Sequence, residues 1–194
     1  ALILIGLAVA VPTAVGAAAY MTEFGRSRII LRSVRFAAEC LAGIPSIVYG
    51  LFGYSFLVVF LSLKVSLLAG GITLGFVMFP IILIGTQESM EAVGWQYREA
   101  ALSMGVTRSH MLRRVILPKA WPGILSITVL AAGHAFGTAA PILYTASVIF
   151  SHGGLALGAP VMTLPTHLYY LVGEAVSFDH AFGTALVLVL MLLF

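Results

Sequence analysis

The stretch TQESMEAVGWQYREAALSMGVTRSHMLRRVILPKAWPGI, residues 86–124, sits between two long apolar runs and holds Arg98, Arg108, Arg113, Arg114 and Lys119. Glu99-Ala100-Ala101 opens a helix-forming segment, because Ala and Glu lose little on entering a helix. Gly105 can take the left-handed conformation that ends one. Thr107 is a good N-cap for a second, short helix. Arg113 and Arg114 then fall near the C-terminal end of that helix, where positive charge suits its dipole. Leu117-Pro118 is expected to stop it before the next apolar run. The pattern predicts an amphipathic, basic helix-turn-helix hairpin over residues 87–121. Such an element either lies on an anionic membrane surface or docks into a groove on a partner. Ala100, Ala101 and Gly105 favour docking, since small residues let a partner approach closely.

Around the hairpin the chain is apolar. It is 61% hydrophobic and 9% charged, with a mean hydropathy of +1.10. Soluble domains carry about 25% charged residues, so lipid must replace water over much of this surface. Five apolar runs stand out, from about Leu2 to Met21, Leu41 to Leu63, Leu67 to Gly85, Ile124 to Phe150 and Ala181 to Phe194. In lipid each backbone polar group needs an internal partner, so the runs are read as helices. The first is read as a span and not as a signal peptide, and the chain as part of a longer one. Arg26, Arg28, Arg32 and Arg35 lie between runs one and two, and the other basic cluster between runs three and four. Two spans separate the clusters, so both fall on the cytoplasmic side, as positive charge requires. Residues 151–180 are then outside, with Lys64 in a short outer turn. The fold class is therefore all-α: a single membrane domain, residues 1–194, of about five transmembrane helices. Pro80 is expected to kink the third helix. Gly71 with Gly75, and Gly133 with Gly137, have the small-x-x-x-small spacing of close helix pairs. Ordinary packing within the chain is the expected reading for each. The single cysteine, Cys40, reads as a small apolar core residue.

Glu99-Ala100-Ala101, three residues, Gly105, nine residues, then Val115-Ile116-Leu117-Pro118 resembles the EAA loop of ABC importer permeases. Only Val115 departs from the usual Ile. The resemblance implies the five-helix, MetI-like permease core, with this hairpin as the coupling helix that sits in a cleft of a cytoplasmic ATPase. Glu99, Ala100, Ala101, Gly105, Val115, Leu117 and Pro118 are then the coupling residues. A narrower likeness joins Leu41–Gly53, Tyr20-Met21-Thr22-Glu23-Phe24, Ala139–Ala146 and Thr163-Leu164-Pro165 with Leu168-Tyr169 to the phosphate permeases of the PstA type. That likeness implies a second permease subunit of the PstC type, two copies of the ATPase and an extracytoplasmic binding protein. ATP is bound by the ATPase, and this chain needs no cofactor. The chain departs from the family where R-A-x-G-E-T-A-P is usual: His134, Thr138 and Ala139 replace the Arg, the Glu and a Thr. An intramembrane ion pair is thereby absent.

His134 is an ionisable residue inside a span, a default functional candidate. Protonated it could draw an anion inward; neutral it could hydrogen-bond one. Thr138 lies four residues on, sharing its helical face, and Thr145 completes the candidate substrate path. His152, His167, His180, Glu174 and Asp179 read as solvated outer residues and not as a metal site, having no short ligand spacing. Glu88 and Glu91 read as a solvated face, and Glu23 as solvated or paired with Arg26. No G-x-x-x-x-G-K-[ST] and no G-x-S-x-G occur, which excludes a P-loop and a nucleophile elbow. The basic loop is too poor in aromatic stacking residues for nucleic acid. An intramembrane enzyme would need paired catalytic groups in its spans, and an ion-coupled transporter would need intramembrane carboxylates and inverted repeats. Neither pattern is present.

Overall fold

The computed structural model describes residues 1–25, 27–147 and 157–193. Among these residues every regular element is a helix. In chain order they are α1 (Leu2–Phe24), α2 (Arg28–Ala42), α3 (Ser46–Phe60), α4 (Leu67–Glu91), α5 (Trp95–Ser103), α6 (Arg108–Phe136), α7 (Ala140–Thr145), α8 (Leu164–Gly173) and α9 (Phe178–Leu193). Helices α1, α4 and α6 have 23, 25 and 29 residues and are apolar enough to cross a membrane. Taken as one broken span, α2 with α3 makes a fourth candidate, and α9 is apolar but shorter. Leu4, Val129, Leu130, Phe182 and Leu193 are each more than 60% exposed. Such exposure fits a chain whose solvent is hydrocarbon.

Several boundaries differ from the sequence reading. The Arg28–Arg35 segment is helical and not a loop. The second run is broken at Gly43–Pro45, because Pro45 disfavours helical geometry at the residue before it; Pro45 itself has ψ 134° and begins α3. The fourth helix stops at Phe136, well short of Phe150. Gly137 weakens it, and Pro141, in the first turn of α7, supplies no N–H to continue it. The last part of that run, residues 148–150, and His152 lie outside the described residues, as does Arg26. Helix α4 runs unbroken through Pro80.

The chain divides into two compact units. The first comprises Ala1–Val9, Ile44–Val77 and Ala132–Phe194. Its contacts are set by glycine. A Cβ at Gly71 would lie 2.6 Å from Ile5 Cγ2, and one at Gly75 3.2 Å from the Gly6 carbonyl, so this pair packs α4 on α1 within the chain. Gly50 lies so close to α7 that a Cβ would fall 2.8 Å from the Ala140 carbonyl oxygen. Gly133, by contrast, faces open space. The free N–H groups at the start of α4 find carbonyls outside the helix: Ser66 donates to Thr145, Leu67 to Ala159 and Leu68 to Leu157, at 2.8–3.1 Å. Buried helix ends need such partners.

The second unit comprises Ala10–Gly43 and Met78–Ala131. Met90, Val93, Ala101, Met111, Ile116, Ala120 and Ile124 form its core, with Val15 and Ala19 packed against them. This core lies at one end of the unit, where α4 gives way to α5 and α6.

Candidate functional site

The hairpin expected over residues 87–121 is built from α5 and the start of α6. Gly105 has φ +73° and makes the turn, a conformation that costs glycine little. Thr107 occupies the N-cap position with extended backbone. Its hydroxyl does not cap the helix; it meets Ser109 Oγ at 3.4 Å. The second arm does not stop at Leu117-Pro118. It continues into α6 through a π-type turn at Leu112–Ile116, where the Leu117 N–H reaches back to the Leu112 carbonyl. The register change falls just before Pro118, so the proline's missing N–H is absorbed there. Arg113 and Arg114 accordingly lie mid-helix and not at a C-terminal end.

The seven hairpin residues singled out from the sequence divide by burial. Ala101 is buried in the core, and Val115 and Leu117 pack against it. Glu99, Ala100, Gly105 and Pro118 are exposed. Around them Leu102, Met104 and Trp95 are exposed too, Met104 by 81%. The Glu99 carboxylate accepts a hydrogen bond from Trp95 Nε1 at 2.6 Å. Lys119 Nζ stands 3.9 Å above the centre of the Tyr97 ring, linking the two arms.

What holds the hairpin is a buried ion pair that the sequence reading missed. Arg98 Nε and Nη2 donate to Glu23 Oε1 at 3.0 and 2.8 Å. The Arg98 side chain is 11% exposed and that of Glu23 5%. The same guanidinium donates to the carbonyls of Met90 and Val93, which lie at and just past the C-terminal end of α4. One side chain thus binds α5 to the ends of both α1 and α4. Glu23 was expected to be solvated or paired with Arg26. Ion pairing across 75 residues leaves no spacing signal; the hint was a carboxylate closing an apolar run and an arginine in an alanine-rich helix.

Glu88 and Glu91 are not simply solvated. Arg35 of α2 reaches Glu39 at 3.0 Å, Glu88 at 3.3 Å and Glu91 at 3.8 Å. The hydrogen bond to Glu39 is the main cause of an Arg35 pKa above its ordinary value. The carboxylates stay half exposed, so each contact is worth about 0–1 kcal/mol. Cys40, expected in the core, is exposed, because it lies on the side of α2 away from buried Ala38.

The three candidate path residues do not converge. His134 is exposed. Thr138 lies just past the end of α6, and its hydroxyl donates to the His134 carbonyl at 2.8 Å, not to the imidazole. Thr145 is fully buried and donates to the Pro141 carbonyl at 2.6 Å. None of the three lines the 260 Å³ apolar cavity of the first unit. Thr184 Oγ1 lies 3.3 Å from His167 Nδ1, and Ser177 Oγ 2.8 Å from His180 Nδ1. Among the described residues no three His, Cys, Asp or Glu side chains are placed to hold a metal ion.

Residues 10–194 match the model of the binding-protein-dependent transport system inner membrane components. The chain belongs to that family. It is a multi-pass inner-membrane permease of the ABC transporter class. Phosphate transport system permease protein PstA 2 of Mycobacterium bovis is 37% identical over 196 residues, covering 98% of this permease chain and 63% of the relative. A PstA homolog of Mycoplasma pneumoniae is 30% identical over 201 residues, covering 100% and 31%. A probable ABC transporter permease, YqgI of Bacillus subtilis, is 30% identical over 147 residues, covering 76% and 50%. The permease chain therefore spans 31–63% of the length of these relatives. A chain of the MetNI methionine ABC transporter, solved in inward-facing conformations, has the same fold: TM-score 0.72 at 22% identity, over 97% of this chain and 82% of that one.

Proposed function

We propose that this permease forms half of the path of an ATP-driven phosphate importer and that α5 with the start of α6 docks on its ATPase. The observation that carries the docking is the hairpin's outer surface. Leu102 and Met104 project from a tip whose base is fixed by Arg98 and a packed core. Exposed apolar side chains on a rigid, basic element suit a groove in a soluble partner. In this reading two ATPase copies bind and hydrolyse ATP, and this chain supplies no catalytic group or cofactor. A second permease subunit of the PstC type completes the path, and a binding protein delivers substrate from the other side. ATP-driven closure moves the hairpin, and the helices joined to it alternate between outward and inward access.

Phosphate is supported by the PstA-named relatives and by the PstA-like segments of the sequence. His134, Thr138 and Ala139 favour a second reading: transport of another oxyanion or small solute, since the usual Arg and Glu are missing. Uptake of labelled phosphate by proteoliposomes holding the full transporter tests both. Saturable, ATP-dependent uptake that unlabelled phosphate competes, and sulfate or molybdate does not, is expected. Uptake of the other oxyanions without phosphate uptake would overturn the phosphate reading and leave the docking intact.

A further inference from the structure

Helix α2 has 15 residues and contains Arg28, Arg32, Arg35 and Glu39. It is about 22 Å long, too short and too charged to cross a hydrocarbon core of about 30 Å. At 3.6 residues per turn its four charges fall within an arc of about 60°. Ile29, Ile30, Val34, Phe36 and Leu41 fill an arc of about 160° on the other side. These side chains are exposed, Ile29 by 80% and Phe36 by 65%. The two faces are the signature of a helix that lies in a membrane surface.

The charges are not equivalent. Arg35 is surrounded by Glu39, Glu88 and Glu91, and Arg98 is paired with Glu23. Arg28 and Arg32 make no ion pair among the described residues. Both are exposed, and both border an open cleft of about 670 Å³ whose other charged lining residues, Arg35, Glu91 and Arg98, are already held in ion pairs. Next to these two unpaired guanidiniums comes the apolar arc, with Phe36 about 40° round the helix from Arg32. A phospholipid has the complementary form: a phosphate for the arginines and acyl chains for the apolar side.

We propose that α2 lies in the inner-membrane surface with Ile29, Ile30, Val34 and Phe36 among acyl chains, and that Arg28 and Arg32 hold the headgroup of an anionic phospholipid. A guanidinium matches phosphate oxygens with two parallel donors, which an ammonium cannot do. Each arginine near an anionic lipid surface contributes about fivefold in affinity, and the pair about thirtyfold. Because Arg35 ties α2 to the end of α4, and Arg98 ties that end to α5, the lipid would rest against the elements that carry the hairpin. The site is independent of the transported substrate.

Two measurements on the assembled transporter test this. In the first, a spin label on Cys40, the only cysteine left in the complex, reports its surroundings in proteoliposomes. The same label on Ile30→Cys in a Cys40→Ser background gives a second point on the arc. Strong relaxation by dissolved oxygen and weak relaxation by a water-soluble nickel chelate are expected at both sites. Shelter from both agents would mean that a partner subunit covers the arc, and strong nickel relaxation would put it in water; either result overturns the proposal. In the second, phosphatidylglycerol is titrated into the detergent-purified complex, with phosphatidylcholine as reference, and bound lipid is counted by native mass spectrometry. Arg28→Gln and Arg32→Gln should each weaken phosphatidylglycerol binding about fivefold, and together about thirtyfold, leaving phosphatidylcholine unchanged. Equal affinity in the double variant would overturn the headgroup assignment. So would displacement of the lipid by inorganic phosphate, which would identify a soluble-anion site instead. Neither readout involves uptake, so a wrong substrate assignment leaves this test decisive.

Discussion

Gly105 is the residue on which the hairpin turns. Its φ of +73° lies in the left-handed region, and nothing stands within 4 Å of where a Cβ would be. Substitution is therefore opposed by backbone conformation alone, by about 1–2 kcal/mol for most residues and least for Asn. Gly105→Asn is expected to keep uptake and substrate-stimulated ATPase activity. Gly105→Val, β-branched and stiff, should misplace the second arm and lose both, with the protein still in the membrane. Equal activity of the two variants would mean that the turn does not position the coupling surface. Arg98 and Glu23 set a second test at this scale. Removing either partner leaves the other charge buried and unpaired, a loss of about 3–5 kcal/mol. Arg98→Ala also frees the Met90 and Val93 carbonyls. Thermal unfolding of Glu23→Gln, Arg98→Ala and the double variant should show a coupling of about 1–3 kcal/mol between the two sites. Strictly additive losses would show that the pair is not formed.

The elements show where a sequence can be read and where it cannot. The hairpin's place, its glycine turn and its two arms were legible, because each rests on local chemistry within about twenty residues. The length of its second arm was not. Pro118 is an ordinary stop signal, but the π-type turn at Leu112–Ile116 lets the helix pass it. A register shift of one hydrogen bond has no distinct composition. The break after α6 was missed for the opposite reason: apolar residues continue from Ala139 through Phe150, so hydropathy ran on where Gly137 and Pro141 ended the helix. The charges of helix α2 mark the side of the membrane when they are counted, and reveal a helix only when their periodicity is followed. Among the site residues, Ala101 is buried in the core and Val115 and Leu117 pack against it, a difference in burial that a motif does not show. One capping assignment leads to a prediction of small effect. N-cap Thr→Ala changes usually cost about 1 kcal/mol. The Thr107 hydroxyl makes no cap bond, so Thr107→Ala should shift the unfolding temperature of the purified protein very little. A full capping loss would mean that the side chain caps the helix after all.

At the scale of the whole molecule the question is which helix ends share a side of the membrane. The basic residues argued for one cytoplasmic side from charge bias alone. The second unit adds a geometric argument that does not depend on counting spans. Glu23 at the end of α1 is bonded to Arg98 of α5, and Glu88 and Glu91 at the end of α4 are paired with Arg35 of α2. Arg108, the first residue of α6, donates to the Glu23 carbonyl at 3.4 Å. The end of α1, the end of α4 and the start of α6 therefore meet on one side, and each helix leaves from it toward the other. After α6 the described helices before α9 have only 6 and 10 residues. At about 1.5 Å per residue neither can recross a core of about 30 Å. Glu174, between α8 and α9, should stay on the far side. Single cysteines replacing Arg28, Arg108 and Glu174 in a Cys40→Ser background test the arrangement with a membrane-impermeant maleimide. Position 174 should react in intact cells, after removal of any outer membrane barrier. Positions 28 and 108 should react only in inverted vesicles. If 28 and 108 reacted from opposite sides, the ion pairs of the second unit could not form in the membrane, because no bilayer separates charges held 2.8–3.8 Å apart.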